Sequence, residues 1–138
     1  MSQIRPQWDC ALVAFSGHAD QMWLRLLRPG FRHCFLVLGS RGGWLCLNPL
    51  AHRMDIMVLP VEAGFDVSEW YRTQGLTVIE ARLSTPPERA APWRPLTCVE
   101  VVKRVLGISA WNIVTPWQLY RYIKNSGIKS LTSPIEPR

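Results

Sequence analysis

Two β-rich runs, Phe31 to Leu38 and Trp44 to Leu47, are separated only by Gly39-Ser40-Arg41-Gly42-Gly43. Three glycines and a serine between two apolar stretches are turn chemistry, so the pair reads as an antiparallel hairpin. That hairpin constrains the fold most, because any sheet grown on it starts antiparallel. Trp8 to Phe15 reads as a strand ended by Ser16-Gly17, and Met54 to Leu59 as another stopped by Pro60. Leu76 to Leu83 alternates and reads as a further strand. Ala19 to Leu27 has helical spacing, with Met22, Trp23, Leu26 and Leu27 on one face, until Pro29-Gly30 breaks it. Asp66 to Tyr71 is ambiguous, with one helical turn as one reading.

Two helices follow the strands. Thr97 is a good N-cap with Glu100 three residues on, a capping-box pair, and Gly107 closes the segment. Cys98 then occupies the first helical position. Free backbone N–H groups and the positive end of the helix dipole there favour a thiolate over a thiol. Thr115-Pro116-Trp117-Gln118 opens the last helix with a second capping box and proline at its preferred place. That helix is expected to run to about Asn125, with Gly127 ending it. Ile128 to Arg138 lacks periodicity and reads as a tail that its own body or a partner chain must hold. The expectation is one α+β domain over residues 1–127, an antiparallel sheet packed against a nucleophile-bearing helix, with a tail at 128–138.

Composition narrows the function classes. At 138 residues the chain is long enough to bury about two-thirds of its unfolded surface. No apolar run approaches the roughly 20 residues of a membrane span. Met1-Ser2-Gln3-Ile4-Arg5-Pro6 lacks the apolar stretch of a secretory signal, so synthesis in the cytosol, with retention or packaging there, is expected. The charge of +6 is spread along the chain without a basic block. It argues for an anionic surface or substrate rather than specific nucleic-acid binding. Cys10, Cys34, Cys46 and Cys98 include no CxxC pair, which speaks against structural zinc, and no cofactor is expected. Cys10, Cys34 and Cys46 fall in apolar strands and read as core.

A cysteine nucleophile needs a base within reach and a third group to orient that base. Of the three histidines, His33 opens an apolar strand, where a sheet rim meets a helix N-terminus. His18 lies in a Ser-Gly turn, and His52 follows Asn48-Pro49-Leu50 on a loop. Across the hairpin the partner of His33 falls between positions 48 and 52. Asn48 is the attractive orienter, a polar residue ending Trp44-Leu45-Cys46-Leu47, whose carbonyl fixes the imidazole tautomer. A two-residue Gly42-Gly43 turn would instead set His52 opposite His33, so both remain open as third member.

Phe31-Arg32-His33-Cys34-Phe35-Leu36-Val37, Trp44-Leu45-Cys46-Leu47-Asn48-Pro49 and Thr97-Cys98-Val99-Glu100-Val101-Val102-Lys103 together resemble a family. Histidine strand, polar strand, then cysteine helix is the order of circularly permuted papain-like cysteine hydrolases, the NlpC-like cell-wall peptidases and the lecithin retinol acyltransferase group. The Thr-Cys-Val helix is also similar to small proteins encoded in tailed phages and prophages. The resemblance implies a permuted papain-like fold with Cys98 as nucleophile, His33 as base and Asn48 as orienter. Asparagine departs from permuted relatives with a second histidine and matches papain's choice. The implied activity is hydrolysis of amide bonds in peptide or peptidoglycan substrates, carried by a phage. Trp93 and the backbone N–H of Cys98 are candidate oxyanion donors. The alternative is a papain-like shell serving as a virion or tail component, its C-terminal tail held by partner proteins. Acyl transfer on lipids is a third reading, with no membrane-anchoring segment behind it.

Overall fold

The computed structural model describes residues 8–17, 27–50, 53–83 and 97–132, with side chains to residue 126. The helix expected from Ala19, the proline-rich segment 84–95, His18, His52 and Trp93 lie outside the described residues, as does the end of the tail from 133. Five strands are described: β1 (Cys10–Ser16), β2 (His33–Ser40), β3 (Gly43–Pro49), β4 (Met54–Val58) and β5 (Thr77–Ala81). Three helices are described: α1 (Val67–Thr73), α2 (Cys98–Leu106) and α3 (Pro116–Thr132). The strands form one sheet in the order β4-β3-β2-β1-β5, and every neighbouring pair is antiparallel. The α+β expectation with an antiparallel sheet holds.

Local chemistry explains the departures from the expected bounds. Gly39 and Ser40 belong to β2, and the turn narrows to Arg41-Gly42, with Ser40 paired to Gly43. The Ser40 hydroxyl accepts from the Gly42 N–H at 3.2 Å, and Gly43 follows at φ +129°, a conformation that suits glycine. The ambiguous Asp66 segment is the helix α1. The Asp66 carboxylate caps it by accepting from the Glu69 N–H at 3.0 Å. α3 continues through Gly127 to Thr132 instead of stopping near Asn125. One glycine inside a helix costs only about 1 kcal/mol relative to alanine, which a 17-residue helix tolerates.

Both faces of the sheet are covered. Ala11, Val13, Phe15, Cys34, Leu36, Leu38 and Ala81 pack on one face against Val99, Val102 and Leu106 of α2 and Leu119 and Ile123 of α3. On the other face Leu12, Ala14, Phe35, Val37, Cys46 and Val78 meet Val67 and Tyr71 of α1. β1 and β2 are therefore buried along nearly their whole length. This is why their sequences run almost continuously apolar instead of alternating.

α2 is fixed at both ends. Thr97 Oγ1 accepts from the Glu100 N–H at 3.2 Å. At the other end Gly107 sits at φ 75°, with Ile108 N–H bonded to Lys103 O and Gly107 N–H to Arg104 O, a Schellman closure. The reciprocal half of the capping box is replaced, because the Glu100 carboxylate turns downstream to Lys103 at 3.3 Å and Arg104 at 3.5 Å. Lys103 is 3% exposed and also donates to Ile113 O at 3.0 Å, tying α2 to the segment that leads into α3. At α3 the box is complete: Gln118 Oε1 accepts from the Thr115 N–H, and Thr115 Oγ1 accepts from the Gln118 N–H.

Candidate active site

The hairpin register decides which polar groups meet. Pairing runs from Ser40 with Gly43 to Leu36 with Leu47. One step further sets Asn48 opposite Phe35. Residues two apart share a face, so Asn48 is the diagonal neighbour of His33, within reach of a long side chain. His33 Nε2 lies 2.7 Å from Asn48 Oδ1. An amide oxygen only accepts, so Nε2 carries the proton and donates. The Gly42-Gly43 turn that would have brought His52 opposite His33 is not the one formed.

Pro49 contributes to this placement. A residue before proline is pushed out of the α region into extended backbone. Asn48 accordingly stays in β3, paired with Asp55 of β4, instead of making a turn. The His33 ring is backed on its own strand by Phe35, with ring centroids 6.4 Å apart.

Cys98 heads α2 at the same end of the sheet. The groups set against its sulfur are the Cys34 thiol, the His33 ring and the Cys34 backbone N–H. With Nε2 engaged by Asn48, Nδ1 is the ring nitrogen left to act on the thiol. These donors, the Cys34 thiol foremost, hold the Cys98 thiol down at about 4, against the upward push of burial. Lying at a helix N-terminus works in the same direction. The other three cysteines go the opposite way. Burial raises Cys10 and Cys46, and burial with the adjacent Cys98 sulfur raises Cys34 strongly. Cys98 is thus the one cysteine of the four held as thiolate at neutral pH.

The structure brings Cys98, His33 and Asn48 together, with the His33 ring set against the Cys98 sulfur and bonded to the Asn48 amide. It adds a member the sequence reading assigned to the core. Cys34 is fully buried, yet its thiol faces Cys98 because it is the first inward-pointing residue of β2, directly beneath the start of α2. The available signal was its adjacency to His33: a strand rim that presents one residue to a helix N-terminus presents its neighbour from the opposite face.

An aromatic cluster borders this end of the sheet. Phe15 is the cross-strand partner of Cys34 and meets Tyr120 edge-on at 5.5 Å. Phe31 packs on Trp117 at 4.7 Å, and the Arg28 guanidinium lies 3.9 Å over the Trp117 ring. The cluster anchors the first turns of α3 beside β1 and the approach to β2. A groove of about 910 Å³, lined by residues including Trp8, Cys10, Glu80 and Tyr122, opens instead near Leu106 and Gly107. That is the far end of a nine-residue helix, about 13 Å from its first residue, so this groove does not serve Cys98.

Among the described residues no group of three or more His, Cys, Asp or Glu side chains is placed to hold a metal ion. No described helix is long and apolar enough to cross a membrane. Comparisons of the chain with models of protein families, with curated proteins and with solved structures give no match.

Proposed function

We propose that the chain is a cysteine-nucleophile hydrolase of amide bonds with a permuted papain-like arrangement, acting on peptidoglycan stem peptides. The observation that carries this reading is the chain Cys98–His33–Asn48, with its 2.7 Å bond from Nε2 to Oδ1. The thiolate of Cys98 attacks the scissile carbonyl, and His33 gives a proton from Nδ1 to the leaving amine. His33 then takes a proton from the water that cleaves the acyl-enzyme. Asn48 holds the ring in the orientation that serves both steps. The Cys98 backbone N–H is the proposed donor to the developing oxyanion, at the position where the helix dipole also favours negative charge. The net charge of +6 suits an anionic cell wall.

The test uses purified peptidoglycan digested by the full chain, with released amino groups and muropeptides followed by mass spectrometry. Release by the native chain and none by Cys98→Ala or His33→Ala supports the reading. Unchanged peptidoglycan, together with no acylation of Cys98 by activated acyl esters, sinks it.

A second reading, an assembly component of a phage particle built on the same shell, draws on one observation. The edge strand β4 exposes Ile56, Met57 and Val58 at 64%, 55% and 72%. Under that reading Cys98→Ser leaves particle assembly intact, while charged substitutions at Met57 and Val58 abolish it.

A further inference from the structure

Hydrolysis as proposed uses one thiol of the site only to support the Cys98 thiolate and never as a nucleophile. Cys34 has no part in attack or proton transfer, and a small apolar side chain would fill its place in the core as well. Its side chain nevertheless lies in the core cluster against which Cys98 packs, with its own strand fixed by pairing on β1 and Cys98 fixed by a capped helix. The other two cysteines are placed elsewhere. Cys10 lies at the opposite end of β1, paired with Gly39. Cys46 lies on the other face of the sheet with the Tyr71 hydroxyl 4.0 Å from its sulfur. Cys98 itself is partly exposed, so a molecule as small as a peroxide reaches it.

We propose that Cys34 and Cys98 form a peroxide-responsive thiol pair, in which a reversible Cys34–Cys98 disulfide masks the nucleophile and shields it from irreversible oxidation. The oxidant is hydrogen peroxide. The Cys98 thiolate attacks one peroxide oxygen and the O–O bond breaks, giving Cys98 sulfenic acid and hydroxide. The Cys34 sulfur then attacks the sulfenic sulfur, and the S–O bond breaks. The hydroxyl leaves with the Cys34 proton as water, and an S–S bond remains. Two thiol equivalents of an external reductant restore both cysteines. The raised Cys34 thiol suits a resolving partner that does not compete for peroxide, while Cys98 is the ionised first reactant.

The proposal rests on Cys98 being an activated thiolate, but not on the substrate. It is tested on the full chain without substrate. The reduced protein carries four free thiols. A slight excess of hydrogen peroxide is expected to halve the thiol count and lower the mass by about 2 Da. A tryptic cross-link should join residues 33–41 to the peptide ending at Lys103, and dithiothreitol should reverse it. Cys34→Ser keeps a hydrogen-bond donor but cannot close the bridge. In that variant Cys98 is expected to pass on to the sulfinic acid, gaining about 32 Da that dithiothreitol does not remove. Cys34→Ala provides the comparison without a buried hydroxyl when sulfinic acid is scored as a fraction of the Cys98 oxidised, since loss of the thiol also slows the first oxidation. A native chain whose Cys98 goes to sulfinic acid as fast as in Cys34→Ser overturns the proposal, as does a cross-link to Cys10 or Cys46. Failure of the premise has its own signature: Cys98 that alkylates at pH 6 no faster than Cys10 overturns the thiolate and the pair together. Peptidoglycan left intact while the cross-link forms would remove the hydrolase reading alone.

Discussion

Asn48→Ala removes one hydrogen bond and nothing else from the core, which makes it the sharpest probe of the site. The 2.7 Å bond holds the His33 Nε2 proton, and its acceptor matters most when the ring is an imidazolium facing the Cys98 thiolate. Hydrogen bonds to charged groups are worth about 1.5–3 kcal/mol, and one pKa unit corresponds to about 1.4 kcal/mol. Losing the bond should therefore raise the Cys98 midpoint from about 4 by about one to two units. The thiol is depressed in the native site, so it is thiolate above about pH 4 and its alkylation is nearly flat from pH 6 to 8. An ordinary thiol near 8.5 would speed up about 80-fold over that range. With the midpoint shifted, the variant at pH 5 should react about two- to ten-fold more slowly than the native chain, while matching it at pH 8. The assay is iodoacetamide labelling of Cys98, read site by site by mass spectrometry at pH 4.5 to 8.5. Asn48→Asp keeps an acceptor oxygen and should restore the pH 5 rate. Coincident profiles for native and Asn48→Ala would refute the positioning role. An equal loss at every pH would instead mean lost folding or access, and would refute it as well.

Four stability predictions can be checked by urea unfolding. Leu106→Ala empties a site 1% exposed beneath α2 and should cost about 2–5 kcal/mol. Thr97→Ala removes the cap that holds the Glu100 N–H and should cost about 0.5–2 kcal/mol, a loss absent in Thr97→Ser. Lys103→Met keeps the buried stem but leaves the Ile113 carbonyl unsatisfied, for a loss of about 1–3 kcal/mol. Gly39→Ala would set a Cβ 2.6 Å from the Trp44 ring and 2.7 Å from Cys10 Sγ, so a loss of about 1–3 kcal/mol is expected. Trp44→Ala in the same chain should relieve part of that loss, since the ring is the nearer obstacle.

What was legible in the sequence and what was not separates along local and non-local lines. The Thr97 cap, the Gly107 closure and the Gln118 capping box are interactions within five residues, so their residue types alone announce them. The hairpin was legible for the same reason, but its register was not. Gly39 to Gly43 offers several two-residue turns, and moving the turn by one residue changes the residue opposite His33 from Leu50 to His52. Asn48 reaches His33 from the diagonal position rather than from directly across. The helical tail after Gly127 was misplaced because a glycine stop signal is only a preference of about 1 kcal/mol.

Cys34 was illegible for a deeper reason. A buried cysteine on an apolar strand is normally a small hydrophobe, and nothing in residues 33–38 distinguishes it. Its chemistry comes from a contact 64 positions away in the chain, made because α2 lays its first turn over the one strand whose second residue is a thiol. The same packing that buries Cys34 also aims its S–H at Cys98, so core and site are not separable at this position. A substitution judged only by core volume, Cys34→Val for example, should fold well and yet raise the Cys98 midpoint, because the largest of the groups stabilising the thiolate is gone. Labelling at pH 5 checks this directly. A Cys34→Val chain that keeps native stability and the native alkylation profile would show that His33 and the backbone N–H of residue 34 hold the thiolate without the thiol, and that the Cys34 side chain is core after all.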